Sequence, residues 1–176
     1  MAYIIGMISQ KGGVGKSTLA RLFARELAVA GYAVKIADLD TQQKTSVEWA
    51  AARAENGIDP DIRAEVCRNV KAALVDVDQF DAYILDGKPH ASKETIEIAK
   101  ASDLVVMPTG QTKDDLRPAV ELANDLADAG IDPDKIAFVL IKTTSDAEAN
   151  AATEYLSKTD YTVLDAHLPI STAYGK

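Results

Sequence analysis

The stretch that most constrains this chain is a glycine-rich segment, residues 10–18, which reads QKGGVGKST. An apolar run over residues 3–8 precedes it, and an amphipathic segment begins at Leu19. This order of strand, glycine-rich loop and helix is the setting that a phosphate-binding P-loop requires. Glycines let backbone N–H groups approach an anion closely, at the end of the helix where its dipole is positive. The segment therefore predicts a bound phosphate group.

In such a loop, Lys16 would reach the β- and γ-phosphates and the hydroxyl of Ser17 would ligate Mg²⁺. The loop departs from the pattern G-x-x-x-x-G-K-[ST], because Gln10 replaces the first glycine and Lys11 follows it. The residues that the loop assigns to nucleotide binding are Lys11, Gly12, Gly13, Val14, Gly15, Lys16, Ser17 and Thr18.

Length and composition narrow the class of protein. The 176 residues fit a single domain, which we predict to span residues 1–176. A net charge of −8 argues against a surface coated in positive charge for nucleic acid. The single cysteine, Cys67, excludes a disulfide framework or a thiolate-held cluster within one chain. No signal peptide and no long apolar run is present, so we expect a cytoplasmic protein.

Strand-like and helix-like segments alternate along the whole chain. This alternation predicts an α/β fold with a doubly wound, mostly parallel sheet flanked by helices. Strands are predicted over residues 2–8, 33–37, 62–66, 82–86, 104–108 and 136–141, with a strand and loop over 162–170. Helices are predicted over residues 17–30, 45–56, 69–77, 92–101 and 146–158, and another is capped by Asp114 and Asp115, has Pro118 in its first turn and ends at Gly130.

Three acids follow predicted strands at the edge of the sheet where the P-loop lies. Because ligands bind beyond the carboxyl ends of parallel strands, we expect Asp38, Asp40 and Asp86 near the phosphates. Asp86 fits the carboxylate that holds Mg²⁺ behind Ser17, and Asp40 can position the attacking water. Asp38 would lie behind the metal, and a helix-capping or solubilising role remains open for each acid. The candidate metal-binding residues are Ser17, Asp38, Asp40 and Asp86.

These motifs together resemble the ParA/MinD family of deviant Walker A ATPases. Residues 11–17, KGGVGKS, resemble its first box, and residues 38–42, DLDTQ, resemble its D-x-D-P-Q box. Residues 83–86, YILD, resemble Walker B, and residues 101–108 resemble the next strand with its terminal proline. The resemblance extends in order from residue 2 to about residue 174 and is greatest to the small plasmid or chromosome partition ATPases.

The resemblance implies a slow, Mg-dependent ATPase with ATP, ADP and Mg²⁺ as its ligands. The residues that it assigns to catalysis are Lys11, Lys16 and Asp40. In this family the lysine matching Lys11 reaches the phosphates of a second subunit, so that two ATP molecules lie between the chains of a homodimer. That dimer binds nonspecific DNA, a centromere-binding or adaptor protein stimulates hydrolysis, and the protein is nucleoid-associated when ATP-bound.

The chain also departs from the family pattern. Lys88 replaces a proline after Walker B, and residues 142–144, KTT, stand where the family often has adenine-contacting residues. Pro169 is a candidate backbone neighbour of the adenine. The chain stops at Lys176, where relatives usually continue with one or two helices, so the sequence predicts a shortened carboxyl end.

Two other functions remain open at this stage. One is a small-molecule ligase or kinase on the same fold, like dethiobiotin synthetase, for which His90 and His167 are candidate polar groups. The other is a nucleotide-binding module without useful turnover. No basic amphipathic helix ends the chain, which argues against membrane association. Candidate DNA-contacting cations are Lys113, Arg117, Lys142 and Lys158. Because all four are scattered among acids, the sequence favours solvated surface charges over DNA contacts for each of them.

Overall fold

The computed structural model describes residues 1–89 and 92–170. Within these residues the strands form one sheet in the order β3-β2-β4-β1-β5-β6-β7, with β8 also pairing with β6. Every strand pairing described is parallel. The strands are β1 (Tyr3–Met7), β2 (Val34–Asp38), β3 (Arg63–Val66), β4 (Ala82–Asp86), β5 (Leu104–Thr109), β6 (Ile136–Thr143), β7 (Thr162–Val163) and β8 (Leu168–Pro169).

Helices cover both faces of this sheet and bury two apolar layers. One layer packs α1 and Trp49 of α2 against the sheet, and the other packs helices α3 to α6 on the opposite face. The predicted doubly wound parallel sheet is therefore confirmed. The helices are α1 (Lys16–Val29), α2 (Thr45–Glu55), α3 (Val70–Ala73), α4 (Ser92–Ala101), α5 (Lys113–Asp128) and α6 (Asp146–Leu156). In the described part of the chain, none of the helices has the length and apolarity to cross a bilayer.

Strand register brings the predicted acids to one edge. In the pairing of β2 with β4, Asp38 lies opposite Asp86, and in the pairing of β1 with β4, Met7 lies opposite Asp86. The P-loop leaves the carboxyl end of β1, so both acids end strands on the same side of the sheet as the loop. The parallel register therefore places Asp38 and Asp86 next to each other beside the P-loop, as the sequence pattern predicted.

Two predicted helices differ from those observed. The helix predicted over 69–77 ends at Ala73 and continues as a 3₁₀ turn, Leu74–Gln79, in which Asp76 has the non-helical angles φ −114° and ψ 18°. Asp76 accepts hydrogen bonds from Lys35 at this point, so a long-range contact overrides the local helical pattern. Thr112, not Asp114 or Asp115, is the cap residue of α5, and Pro118 lies beyond its first turn.

Candidate functional site

The P-loop adopts the backbone that its glycines permit. Gly13 has φ 69° and Gly15 has φ 101°, a left-handed region that residues with a Cβ rarely enter. A Cβ on Gly15 would lie 2.3 Å from Cδ1 of Ile141, so this position also needs glycine for space. Gly15 is the cap residue of α1, and its carbonyl accepts the N–H of Leu19. The loop therefore opens directly onto the positive end of α1.

Lys16 supplies a buried cation beneath this loop. Its side chain donates a hydrogen bond of 3.0 Å to the hydroxyl of Ser9, which in turn donates to the carbonyl of Lys11 at 2.9 Å. Burial lowers the pKa of Lys16, and the nearby charges of Asp86 and Asp40 oppose that shift. The side chain is largely buried, so an added anion would be strongly attracted to its ammonium.

Asp38 and Asp86 are both almost fully buried, and α2 holds them together. Ser46 donates its N–H to Oδ2 of Asp38 at 3.0 Å and its hydroxyl to Oδ2 of Asp86 at 2.7 Å. The N–H of Asp40 donates to the other oxygen of Asp38. Burial raises the pKa of Asp38, because these hydrogen bonds only partly offset the cost of desolvating the carboxylate.

Asp86 is a buried acid that interacts with both Ser17 and Lys16 of the P-loop. Burial raises the pKa of Asp86 to about 6, against the opposing effects of Ser46, Ser17 and Lys16. Its Oδ1 atom is buried and has no hydrogen-bond partner among the residues that the structure describes. A buried carboxylate oxygen left without a donor, beside the Ser17 hydroxyl, fits a hydrated Mg²⁺ ion.

The protein side chains do not form a complete metal cage by themselves. Within residues 1–89 and 92–170, no three His, Cys, Asp or Glu side chains converge in a metal-binding cluster. Asp40 instead turns its Oδ1 to the backbone N–H groups of Gln42 and Gln43, at 3.2 and 3.1 Å. This arrangement suits Mg²⁺, which keeps several waters and commonly uses one or two carboxylates together with the oxygens of a bound phosphate.

A cavity of about 440 Å³ lies over the P-loop. Its size is within the range of small-molecule sites. Charged and phosphate-binding groups line it together with the apolar residues Ile141, Leu168, Pro169 and Ile170. The predicted residues that line it are Gly12, Gly13, Gly15, Lys16, Ser17, Thr18, Asp40 and Pro169.

Two of the predicted nucleotide-binding residues, Lys11 and Val14, are not among the residues that line this cavity. Both border an adjoining cleft between the P-loop and the segment that leads into α5. The Lys11 ammonium lies 2.8 Å from Oδ1 of Asp115 and 2.5 Å from the carbonyl oxygen of Asp114. In this conformation Lys11 is bound to α5 and is not among the residues that line the cavity over the P-loop.

Sequence reasoning missed Arg21, Ser46 and the contact that the exposed Lys142 makes with the P-loop. Arg21 lines the cavity and lies 6.0 Å from the ring centre of Trp49, and its position four residues after Ser17 places both on one helix face. Lys142, predicted as a DNA-contacting or solvated cation, donates to the carbonyl of Gly13 at 2.5 Å and has φ 57°. Helical spacing could have revealed Arg21, whereas nothing local marks Ser46 or Lys142.

Among the residues that the structure describes, the remaining cations and histidines named in the sequence analysis do not line the cavity over the P-loop. Lys113 and Arg117 border one surface depression, while Lys158 pairs with Glu154 at 3.1 Å. Lys88, which replaces a family proline, forms an ion pair of 3.1 Å with Glu94. His167 lies 3.7 Å from Asp146, and the candidate residue His90 lies outside the described residues.

Fold and site together define a P-loop nucleotide-binding protein. The chain matches the model of the CobQ/CobB/MinD/ParA nucleotide-binding domain over residues 5–176. It therefore belongs to that family, as the motifs of the first box, D-x-D box and Walker B predicted.

One curated relative is the maintenance of carboxysome distribution protein A of Gloeobacter kilaueensis. The two are 29% identical over 119 residues, which cover 67% of this chain and 54% of that protein. The chain thus spans about half the length of this relative.

Solved structures share the fold at low sequence identity. The cell division ATPase MinD of Pyrococcus furiosus is 18% identical with a TM-score of 0.76, covering 98% of this chain and 85% of that one. Cobyrinic acid a,c-diamide synthase of Mycobacterium smegmatis, with bound ADP and magnesium, is also 18% identical with a TM-score of 0.76, over 99% and 89%. The ParA protein of pNOB8, bound to nonspecific DNA, has a TM-score of 0.66 at 18% identity, over 97% and 86%. These neighbours confirm the predicted ParA/MinD type of P-loop fold.

Proposed function

We propose that this chain binds and slowly hydrolyses Mg-ATP, and that the nucleotide controls its assembly into a homodimer. The observation that carries the proposal is the cavity over the P-loop, which is lined by the buried Lys16, by Ser17 and Asp40, and by apolar side chains such as Ile141 and Leu168. A nucleotide needs both kinds of surface, because its phosphates are charged and its base is largely apolar.

The polar residues in and beneath the cavity bind the phosphates, the metal ion and the attacking water in this proposal. Lys16 and the backbone N–H groups of the loop bind the phosphates, and Ser17 and Asp86 hold Mg²⁺, which neutralises phosphate charge. Ser46 keeps the carboxylate of Asp86 in place through its 2.7 Å hydrogen bond. Asp40 borders the same cavity and is held by backbone donors, so it can orient a water and accept a proton from it.

Lys11 favours an assembling ATPase over a small-molecule ligase on the same fold. A lysine at the start of the loop that pairs with Asp115 and does not line the cavity of its own chain is suited to reach a site on another chain. A second cation near the γ-phosphate would stabilise the charge that spreads during phosphoryl transfer.

We further propose that the ATP-bound dimer binds nonspecific DNA and positions or segregates a cargo, such as a plasmid, with the help of an adaptor protein. The likeness to a carboxysome-distribution protein and to a DNA-bound ParA supports this role. The surface cations Lys113 and Arg117 share one depression, and dimerisation would double their number. Contacts of this kind would be weak at physiological salt, since the chain carries a net charge of −8.

The test is phosphate release from Mg-ATP with and without nonspecific duplex DNA, at low and high salt. We expect slow basal turnover that DNA stimulates at low salt, with the stimulation lost as salt increases. The variant Lys16→Ala should bind nucleotide about 100-fold more weakly or worse, because a buried charged partner of the phosphates is lost. The exposed Lys71 on α3 gives the matched control Lys71→Ala.

Nucleotide affinity that is unchanged in Lys16→Ala would refute the site. Turnover that DNA does not change at any salt concentration would refute the DNA role, and phosphate transferred to a small acceptor would favour the ligase alternative.

A further inference from the structure

The second lysine of the P-loop is held by α5 of its own chain. Lys11 and Asp115 are 104 residues apart in sequence, and their charged atoms lie 2.8 Å from each other. The carbonyl oxygen of Asp114 accepts a further hydrogen bond of 2.5 Å from the same ammonium. These contacts hold Lys11 at a cleft that adjoins the cavity over the P-loop, and Lys11 is not among the residues that line that cavity.

The carboxylate of Asp115 is itself held in place. Its Oδ2 atom accepts a hydrogen bond of 2.6 Å from the hydroxyl of Thr112, which leaves Oδ1 for Lys11. A Cβ on Gly110 would lie 2.4 Å from that same Oδ2, so a larger residue at position 110 would displace this carboxylate. Burial alone would raise the pKa of Asp115, yet the hydrogen bonds from Lys11 and Thr112 hold it below its ordinary value.

We propose that Asp115 is a positioning residue that keeps Lys11 on its own chain and withholds it from a second copy until both chains carry ATP. The inference rests on the proposed function, in which Lys11 acts across a dimer. Lys11 is 44% exposed, so its pair with Asp115 is a weak surface contact that a more strongly charged acceptor can replace. The γ-phosphate of a partner's ATP is such an acceptor, whereas ADP lacks it.

Ser9 links the nucleotide cavity to the pair formed by Lys11 and Asp115. Its hydroxyl accepts from the Lys16 side chain and donates to the Lys11 carbonyl, so one hydroxyl bridges the two lysines of the loop. Any movement of Lys16 toward a phosphate therefore acts on the backbone that carries Lys11. This bridge makes the position of Lys11 dependent on what the cavity of its own chain holds.

The first test compares Asp115→Ala with Asp114→Ala. Both remove one acid from the first turn of α5, but Asp114 contacts Lys11 only through its backbone carbonyl. Sedimentation equilibrium with Mg²⁺ and a non-hydrolysable ATP analogue gives the dimer dissociation constant. We expect Asp115→Ala to tighten the dimer about tenfold, since two such contacts are released per dimer. Asp114→Ala should match the wild type.

A double variant shows whether the effect passes through Lys11. In a Lys11→Ala background, Asp115→Ala should leave the dimer dissociation constant unchanged, because no lysine remains to be released. Amine labelling of the nucleotide-free monomer, read by mass spectrometry, tests the contact without any dimer. Lys11 should react several-fold faster in Asp115→Ala than in the wild type or Asp114→Ala.

The outcomes separate this inference from the proposed function. If the wild type dimerises through Lys11 but Asp115→Ala dimerises no more tightly than Asp114→Ala, the inference is wrong and the proposed function stands. Unchanged Lys11 labelling would equally overturn the inference. If the analogue produces no dimer of the wild type, the proposed assembly and the inference fail together.

Discussion

Asp86 shows at the level of one residue how a binding site conflicts with stability. Its carboxylate is buried beside Asp38, and burial raises the pKa of Asp86 to about 6. An acid whose pKa is higher in the folded than in the unfolded chain binds more protons when folded, so stability falls as pH rises from about 4 through about 6. At neutral pH the ion destabilises the nucleotide-free protein by up to about 3 kcal/mol.

The variant Asp86→Asn should therefore be more stable than the wild type at about pH 7.5, by roughly 1–3 kcal/mol, with the gain shrinking toward pH 4. Urea unfolding in EDTA without nucleotide measures this difference. The exposed Asp125 on α5 provides the control Asp125→Asn, which should behave as the wild type. A loss of stability in Asp86→Asn at neutral pH would show that the carboxylate is better satisfied than its geometry indicates.

At this scale the sequence predicted much of the site, because the signals are local. The glycines and Lys16 occur in one short loop, and Asp38 and Asp86 each follow an apolar strand. The contacts of Lys11 with Asp115 and of Lys142 with Gly13 could not be predicted in this way. They join residues that lie 104 and 129 positions apart and leave no periodic pattern.

Among the elements, the junction of β2, β3 and the 3₁₀ turn depends on one buried lysine. The Lys35 side chain is 3% exposed, and its ammonium lies 2.8 Å from both Glu65 and Asp76. It also lies 5.5 Å from the ring centre of Tyr83. Although burial opposes the charge, Asp76, Glu65 and Tyr83 together raise the pKa of Lys35, and Lys35 lowers that of Asp76. This network explains why the predicted helix over 69–77 ends early.

Asp76→Asn should destabilise the protein by about 1–3 kcal/mol at neutral pH, because Lys35 then keeps only Glu65 as an anionic partner. Because the pKa of Asp76 is lower in the folded than in the unfolded chain, its carboxylate stabilises the fold above the unfolded pKa of about 4. This stabilisation is lost as the pH falls through the folded pKa. The deficit of the variant should therefore shrink in acid. Urea unfolding at several pH values tests this, with Asp78→Asn in the same turn as the exposed control. A pH-independent deficit would contradict the ionic explanation.

For the whole molecule, the alternation of strands and helices was enough to predict the parallel sheet, because each segment carried its own periodicity. It could not supply the register that sets Asp38 opposite Asp86, nor the cavity wall formed by Ile141 and Leu168. Those features depend on how distant strands meet. The family match over residues 5–176 explains why the P-loop and these acids occur in the same chain.

The central claim is that the state of the nucleotide sets the assembly of the molecule through Lys11. Sedimentation velocity of the wild type and Lys11→Ala, each with Mg-ADP and with a non-hydrolysable Mg-ATP analogue, tests it most directly. We predict that the wild type is monomeric with ADP and dimeric with the analogue, and that Lys11→Ala binds the analogue but stays monomeric. A wild type that is monomeric with both nucleotides, or a Lys11→Ala variant that dimerises as the wild type does, would contradict the account.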